Sequence, residues 1–259
     1  MDEGTPAFRS VLSDQIKDRI LQAILSGRYP PGDRIVETRV ARELGTSQAP
    51  VREALRDLSA LGVVEISAFR GARVRRPSAD ELLGAFVVRA ELETLGLRLA
   101  FPKLGEAHLA DLRGYVNEME SAARADDAYR DTKADAAFHG CLMGAAGNGT
   151  LERIWQTLEP FSRTYITLAM PGADRRQLAG LHQPILDGLA AGDLPRALEA
   201  LGRHFEVAAT MLGSLWTDNG LSRGATDTVP QLARRPRTRR PLASLTTTGP
   251  LAAAGGRRP

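Results

Sequence analysis

The chain has one cysteine, Cys141, in 259 residues. No internal disulfide can form, and nothing points to an oxidising compartment. Long hydrophobic runs are also missing: stretches such as residues 82–88 are far too short to span a bilayer. Residues 1–6 are acidic with no apolar run behind them, which excludes a secretory leader. These absences predict a soluble cytoplasmic protein with no membrane partner. Lysine is scarce, three among 34 basic residues, so richness in arginine says nothing about function by itself.

What is present suffices for two domains and a real core, with 43% apolar residues. The net charge of +3 is unevenly spread. Residues 1–76 hold 13 basic and 10 acidic groups, residues 77–222 hold 13 and 20, and residues 223–259 hold 8 and 1. A basic front can approach phosphates that an acidic middle would repel.

Within the front, Thr46-Ser47-Gln48-Ala49-Pro50-Val51-Arg52-Glu53-Ala54-Leu55-Arg56 reads as a turn and a recognition helix. Ser47 is placed to cap the helix through its hydroxyl. Pro50 falls in the first turn, where a missing N–H costs little. Val51, Leu55 and Leu58 make a buried stripe, which leaves Gln48, Arg52 and Arg56 on the outer side. Such a helix suits a major groove.

Helices are expected at about residues 11–26, 37–44 and 49–61, with Gly27, Gly45 and Gly62 as breaks. Strands at 63–66 and 72–75 enclose a tip over 67–71, which completes a winged helix-turn-helix. Arg70, Arg73, Arg75 and Arg76 put positive charge on this wing; the alternative is a solvated hairpin face. Ser78, with Glu81 three residues on, caps a first body helix. Only helices follow, at about 79–100, 105–125, 128–147, 149–168, 174–191 and 194–217. The fold class is mainly α: a winged helix-turn-helix over 8–76, an all-helical bundle over 77–219, and an Arg/Pro-rich tail over 220–259 expected to be disordered.

The run Ile24-Leu25-Ser26-Gly27-Arg28-Tyr29-Pro30-Pro31-Gly32-Asp33-Arg34-Ile35-Val36-Glu37 resembles the start of a GntR-type winged-helix regulator. Ala41-Arg42-Glu43-Leu44-Gly45, then Pro50-Val51-Arg52-Glu53-Ala54-Leu55 and Arg70-Gly71-Ala72-Arg73-Val74, follow in that family's order. The remainder is similar to the FCD effector domain of the FadR subfamily. It carries Arg89-Ala90-Glu91-Leu92-Glu93, Asp135 with Phe138-His139, Asn148, His182 with Ile185, and His204. The resemblance implies a homodimeric regulator, a repressor or an activator, on a double-stranded DNA operator, with a metal-containing pocket for a small carboxylate or sugar-acid effector. It implies DNA contacts from Arg39, Ser47, Gln48, Ala49, Arg52, Arg70 and Gly71. Where the family often has arginine this chain has Gln48, and glutamine favours adenine where arginine favours guanine.

Asp135 and His139 lie four apart on one predicted helix face, and His182 and His204 lie on the last two predicted helices. Three imidazoles and a carboxylate suit a divalent Zn, Ni, Mn or Fe ion with positions left open. An apolar bundle keeps such groups only if something pairs with them; alternatively each is a surface or singly satisfied side chain. Pro184 either kinks the helix of His182 or puts His182 near a first turn. Arg89, among Phe86, Val87 and Val88, binds an anionic effector or pairs with Glu93. Asn148 lines the pocket or caps the next helix. His108 has no partner pattern.

A metal-dependent enzyme acting on an organic acid is the rival class, with Glu93 and Glu159 as candidate bases. A regulator answering to the metal alone is the third. In the tail, Arg234, Arg235, Arg237, Arg239 and Arg240 either add non-specific DNA affinity or form a plain extension.

Overall fold

The computed structural model describes residues 6–67, 71–169 and 174–218. The predicted tail falls outside these residues, as does Arg70.

The head is built from α1 (Pro6–Leu25), β1 (Arg34–Ile35), α2 (Glu37–Glu43), α3 (Gln48–Ala60), β2 (Val64–Ser67) and β3 (Gly71–Val74). Ile16, Ile20 and Ile24 recur every four residues along α1 and are fully buried. They join Ile35, Val40, Val51, Leu55, Leu58, Val63, Val64 and Val74 in one apolar cluster. The stripe on α3 therefore faces inward as its spacing predicts, and Gln48, Ala49, Arg52 and Arg56 remain exposed.

The small sheet is antiparallel in the order β1-β3-β2, with Ile35 opposite Ala72 and Val64 opposite Val74. Only β2 and β3 were expected; β1 is a two-residue strand that presents no alternation to read. Gly71 opens β3 at φ +77°, a left-handed conformation that other residues adopt at a cost, so this position requires glycine.

The body comprises α4 (Ala79–Ala100), α5 (Glu106–Arg124), α6 (Ala128–Ala145), α7 (Gly149–Ala169), α8 (Arg175–Gly180), α9 (Gln183–Ala190) and α10 (Leu194–Asp218). A 3₁₀ turn, Phe101–Lys103, joins α4 to α5. Ser78 caps α4 as expected, its hydroxyl accepting from Glu81 N at 3.1 Å. The predicted helix over 174–191 is two helices. The chain turns at Leu181 and His182, and Pro184 occupies the first turn of α9. Of the two outcomes open for Pro184, the one realised makes His182 the N-cap residue of α9.

Leu82, Phe86, Leu97, Leu112, Phe138, Ile185, Leu201 and Phe205 form the main body core. A smaller cluster around Met143, Leu151 and Trp155 lies under α7. α9 and α10 pack so closely that a Cβ on Gly188 would lie 2.6 Å from the backbone N of Ala197. That approach helps to bring His182 and His204, on either side of the α9–α10 turn, to one point. Gly188→Ala should therefore destabilise the body by about 1–3 kcal/mol, the usual effect of overpacking against backbone. Thermal unfolding that is unchanged in this variant would contradict the packing described.

Head and body meet where α1 lies against α6 and α7. Asp18, Leu21 and Leu25 of α1 face Tyr129, Thr132, Lys133 and Ala136 of α6 across a cavity of about 200 Å³. Among the described residues no helix is long and apolar enough to cross a membrane.

Candidate metal centre and nucleic-acid interface

Asp135 and His139 come from adjacent turns of α6, His182 from the N-terminus of α9 and His204 from the middle of α10. Each offers one ligand atom, and all four atoms lie within 4.8 Å of one another. His139 is 0 % exposed, His182 2 % and His204 7 %. His139 Nε2 is 3.2 Å from His182 Nε2. Asp135 Oδ1 lies 3.2 Å from His182 Nε2 and 3.7 Å from His139 Nε2.

The other ring nitrogens explain this convergence. His182 Nδ1 sits 3.2 Å from the carbonyl oxygen of Ala179. His139 Nδ1 sits 2.5 Å from Glu93 Oε2, off the ideal hydrogen-bond line but with no other partner for either atom among the described residues. An oxygen beside Nδ1 favours the proton on Nδ1, so in the neutral rings both Nε2 atoms carry lone pairs. Two nitrogen lone pairs and a carboxylate oxygen then point at one place, an arrangement that repels itself unless a cation, a proton or a metal ion, sits among them. The donor set fits a divalent transition metal.

Burial acts first on the His204 pKa, and the neighbouring His182 and His139 add to it, holding it well below the usual histidine range. His204 therefore stays neutral at pH 7 and available as a ligand. For Asp135 burial opposes ionisation. The bond from His182 and the charges of His139, His182 and Arg89 outweigh it, and hold the carboxyl well below the usual carboxylate range.

Arg89 and Glu93, each 3 % exposed, form a buried pair one turn apart on α4, with Nε 2.6 Å from Oε1. This is the salt-bridge alternative for Arg89. The same guanidinium also reaches the centre, with Nη2 3.9 Å from Asp135 Oδ2, and lies 5.7 Å over the Phe205 ring. Trp155 of α7 donates from Nε1 to Glu93 Oε1 at 2.7 Å. Glu93 is thus taken up on three sides and is no idle base; the side chain of Glu159 lies outside the described residues. Of the two roles open to Asn148, the one seen is the cap: it is exposed, and its Oδ1 accepts from the backbone of Thr150 and Leu151 at 3.2 and 3.1 Å. It starts α7 rather than lining a pocket. His108 is likewise a capping group, its Nδ1 accepting from Gly105 N at 3.3 Å.

Asp131 lies one turn before Asp135. Burial first, then repulsion from Asp135 and Asp127, push its carboxyl up to about 7 against the pull of Arg175. The folded state then holds a proton between the ordinary value of 3.8 and about 7 that the unfolded state has lost. Stability therefore falls as pH rises through that window. Asp131→Asn should remove this loss and raise the melting temperature at pH 8 by several degrees, with the two proteins converging near pH 4. An unchanged gap between the two melting curves from pH 4 to 8 would count against the burial described.

On the head, Ser47 stands at the N-cap of α3 with extended backbone, yet its hydroxyl makes no capping bond. The expected cap is absent and that exposed hydroxyl points elsewhere. Gln48 opens α3 beside Ala49. Arg52, half exposed, bonds Glu37 of α2 through Nη2 at 2.9 Å, and Arg39 bonds Glu43 at 2.9 Å. Three of the wing arginines keep their positive charge but are tied to the head's own backbone. Arg73 donates to Gly32 O at 2.5 Å, Arg75 to Gly62 O at 3.2 Å and Arg76 to Pro31 O at 2.7 Å. They brace the wing, since carbonyl oxygens lie within their reach.

Residues 12–74 match the family described as bacterial regulatory proteins, gntR family, and residues 85–207 match the FCD domain. A protein of Paenarthrobacter nicotinovorans named "Probable D-xylose utilization operon transcriptional repressor" is 35% identical over 213 residues, 82% of this chain and 93% of that protein. The chain belongs to the GntR family. This GntR-family chain is also 24% identical over 213 residues to the gluconate operon transcriptional repressor of Bacillus licheniformis, covering 78% of the chain and 86% of the relative. Its fold is shared with McbR/YncC of Escherichia coli, at TM-score 0.68 and 21% identity over 79% of this chain and 98% of that one. The relatives are transcription regulators rather than enzymes, and the GntR-type head is a DNA-binding domain.

Proposed function

We propose that this GntR-family regulator is a homodimeric repressor whose hold on its operator is set by a small carboxylate or sugar acid bound at a divalent metal. Asp135, His139, His182 and His204 would hold the ion, and Arg89 would face the ligand. The observation that carries this reading is the meeting of His139 Nε2, His182 Nε2 and the Asp135 carboxylate at one buried point. A bound ion supplies a Lewis-acid anchor for a ligand oxygen. Arg89, already near Asp135, would pair with the ligand's charge. One relative is named for the gluconate operon, and gluconate is a sugar carboxylate.

α6 supports a route to the DNA. One of its faces carries Asp135 and His139, while Tyr129, Thr132, Lys133 and Ala136 border α1 of the head. α1 packs on α3, the proposed recognition helix. A ligand that favours one seating of α6 would bias the placement of α3, provided it binds the two arrangements unequally. Gln48, Ala49, Arg52 and Ser47 line the outer start of α3, Arg39 stands nearby on α2, and Arg70 and Gly71 belong to the wing tip. These are the proposed DNA contacts.

Val88 and Leu95 lie seven apart on α4, 48 % and 45 % exposed, and Ile154 of α7, a helix that packs on α4, is 48 % exposed. This apolar face supports pairing of two bodies, which would set two reading heads on a palindromic operator.

The test is an operator gel shift on protein stripped by chelator and reloaded with Zn²⁺, Ni²⁺ or Mn²⁺, with and without gluconate or related acids. Release of operator by the acid in loaded protein alone is expected. Equal release from stripped protein would overturn the metal's part, and release by metal without any acid would make the ion itself the signal.

A further inference from the structure

A buried arginine–glutamate pair is a poor stabiliser, since desolvating both charges offsets most of their attraction. Apolar residues at 89 and 93 would fill the same space at lower cost. What distinguishes Glu93 is the use made of both its oxygens. Oε1 is fixed from two directions, by Arg89 Nε at 2.6 Å and by Trp155 Nε1 at 2.7 Å. Oε2 is thereby brought to 2.5 Å from His139 Nδ1, off the ideal hydrogen-bond line, and neither atom has another partner among the described residues. His182 obtains the same service from the Ala179 carbonyl. His139 has no backbone oxygen in this role, so its ring depends on a side chain of another helix.

We propose that Glu93 is the positioning residue of the metal centre: it fixes the His139 ring with the proton on Nδ1 and the Nε2 lone pair directed at the ion. This rests on the metal reading above. Without Glu93 the neutral ring takes either tautomer, and the one with the proton on Nε2 turns a donor toward the place where a ligand must be. The carboxylate also raises the basicity of the ring it holds. Arg89 and Trp155 serve by orienting the carboxylate rather than by touching the ion.

The experiment compares the full-length wild type with Glu93→Gln and with the paired Arg89→Gln/Glu93→Gln variant, which leaves no buried arginine unmatched and guards against simple unfolding. Glutamine keeps the volume but can donate to Nδ1 as readily as accept from it. Zn²⁺ affinity is measured by chelator competition, and the tautomers of His139 and His182 by ¹⁵N NMR of the metal-free proteins. Expected is a loss of about 10- to 100-fold in Zn²⁺ affinity in both variants. The His139 tautomer should become mixed while His182 keeps its proton on Nδ1. General loosening of the core would move both rings together and would count against the proposal. Variants that bind Zn²⁺ within twofold of the wild type, with His139 unchanged, would overturn it while leaving the metal reading intact. A wild type that binds no Zn²⁺, Ni²⁺ or Mn²⁺ would overturn the metal reading and this inference with it.

Discussion

Arg52→Ala should abolish specific operator binding in a gel shift and leave the fold unchanged. A well-placed arginine contact to a base edge contributes about 1–3 kcal/mol. The proposed dimer would carry the substitution twice, so about 2–6 kcal/mol is at stake, a loss of roughly 30-fold to more than 10⁴-fold. The cost to stability is small by comparison. Arg52 pairs with Glu37 at 2.9 Å, but their side chains are 50 % and 28 % exposed. Pairs of that kind contribute no more than about 1 kcal/mol. Circular dichroism and the melting temperature should therefore match the wild type. The Glu37 contact also holds the guanidinium in place before DNA arrives, which lowers the side-chain entropy lost on binding. The slope of affinity against salt separates base reading from phosphate contact. A phosphate contact would lower binding to all sequences alike and reduce the slope by about one. Tight, sequence-specific binding by the variant would remove α3 from the interface.

Much of the head is legible in the sequence because its signals are local. The stripe of Val51, Leu55 and Leu58 identifies the buried face of α3, and the outer face follows by geometry. Ser47 shows the limit of that reading. Position is set by the turn, so it falls at the N-cap; whether its hydroxyl bonds the backbone depends on a rotamer that no spacing encodes. The wing arginines show a related limit. Sequence reports their charge, while the carbonyls of Gly32, Gly62 and Pro31 that engage them come from distant turns. β1 escapes because a strand of two residues exists only through its partner β3.

In the body, the four histidine and aspartate residues of the cluster are visible through the family's order of motifs, and the fold brings all four together. Pro184 was a legible break, but only the packing of α9 on α10 decides that His182 sits at a helix start. Glu93 was visible as a partner for Arg89 and as a candidate base, not as a partner of His139. Its contact with His139 crosses from α4 to α6, and its bond from Trp155 comes from α7. Nothing in the spacing of 93, 139 and 155 announces that meeting. Asn148 was left between pocket and cap, and its carbonyl oxygen is spent on the start of α7.

Asp135→Asn should separate the metal centre from a merely polar core, because the size of its effect should depend on whether metal is supplied. With the carboxylate gone the site keeps three imidazoles and a neutral amide oxygen, a poor partner for a divalent ion. Zn²⁺ affinity should fall by more than about 100-fold, beyond what loss of a group outside the ligand set costs. Wild type at a metal concentration about 1,000 times the Kd gains about 4 kcal/mol on loading, since only the folded state presents the site. The variant should gain almost none. In metal-free protein the variant loses the bond and the charges that hold the Asp135 carboxyl ionised. A carboxyl held below its ordinary value contributes stability at pH 8. Metal-free Asp135→Asn should therefore melt below metal-free wild type, and loaded wild type should melt higher than both by a margin that depends on the metal. A buried polar cluster with no ion in its working state predicts a different pattern, in which the asparagine variant gains or loses the same amount whether or not metal is supplied. Equal melting shifts on metal addition in the two proteins would show that the ion, if it binds at all, binds elsewhere.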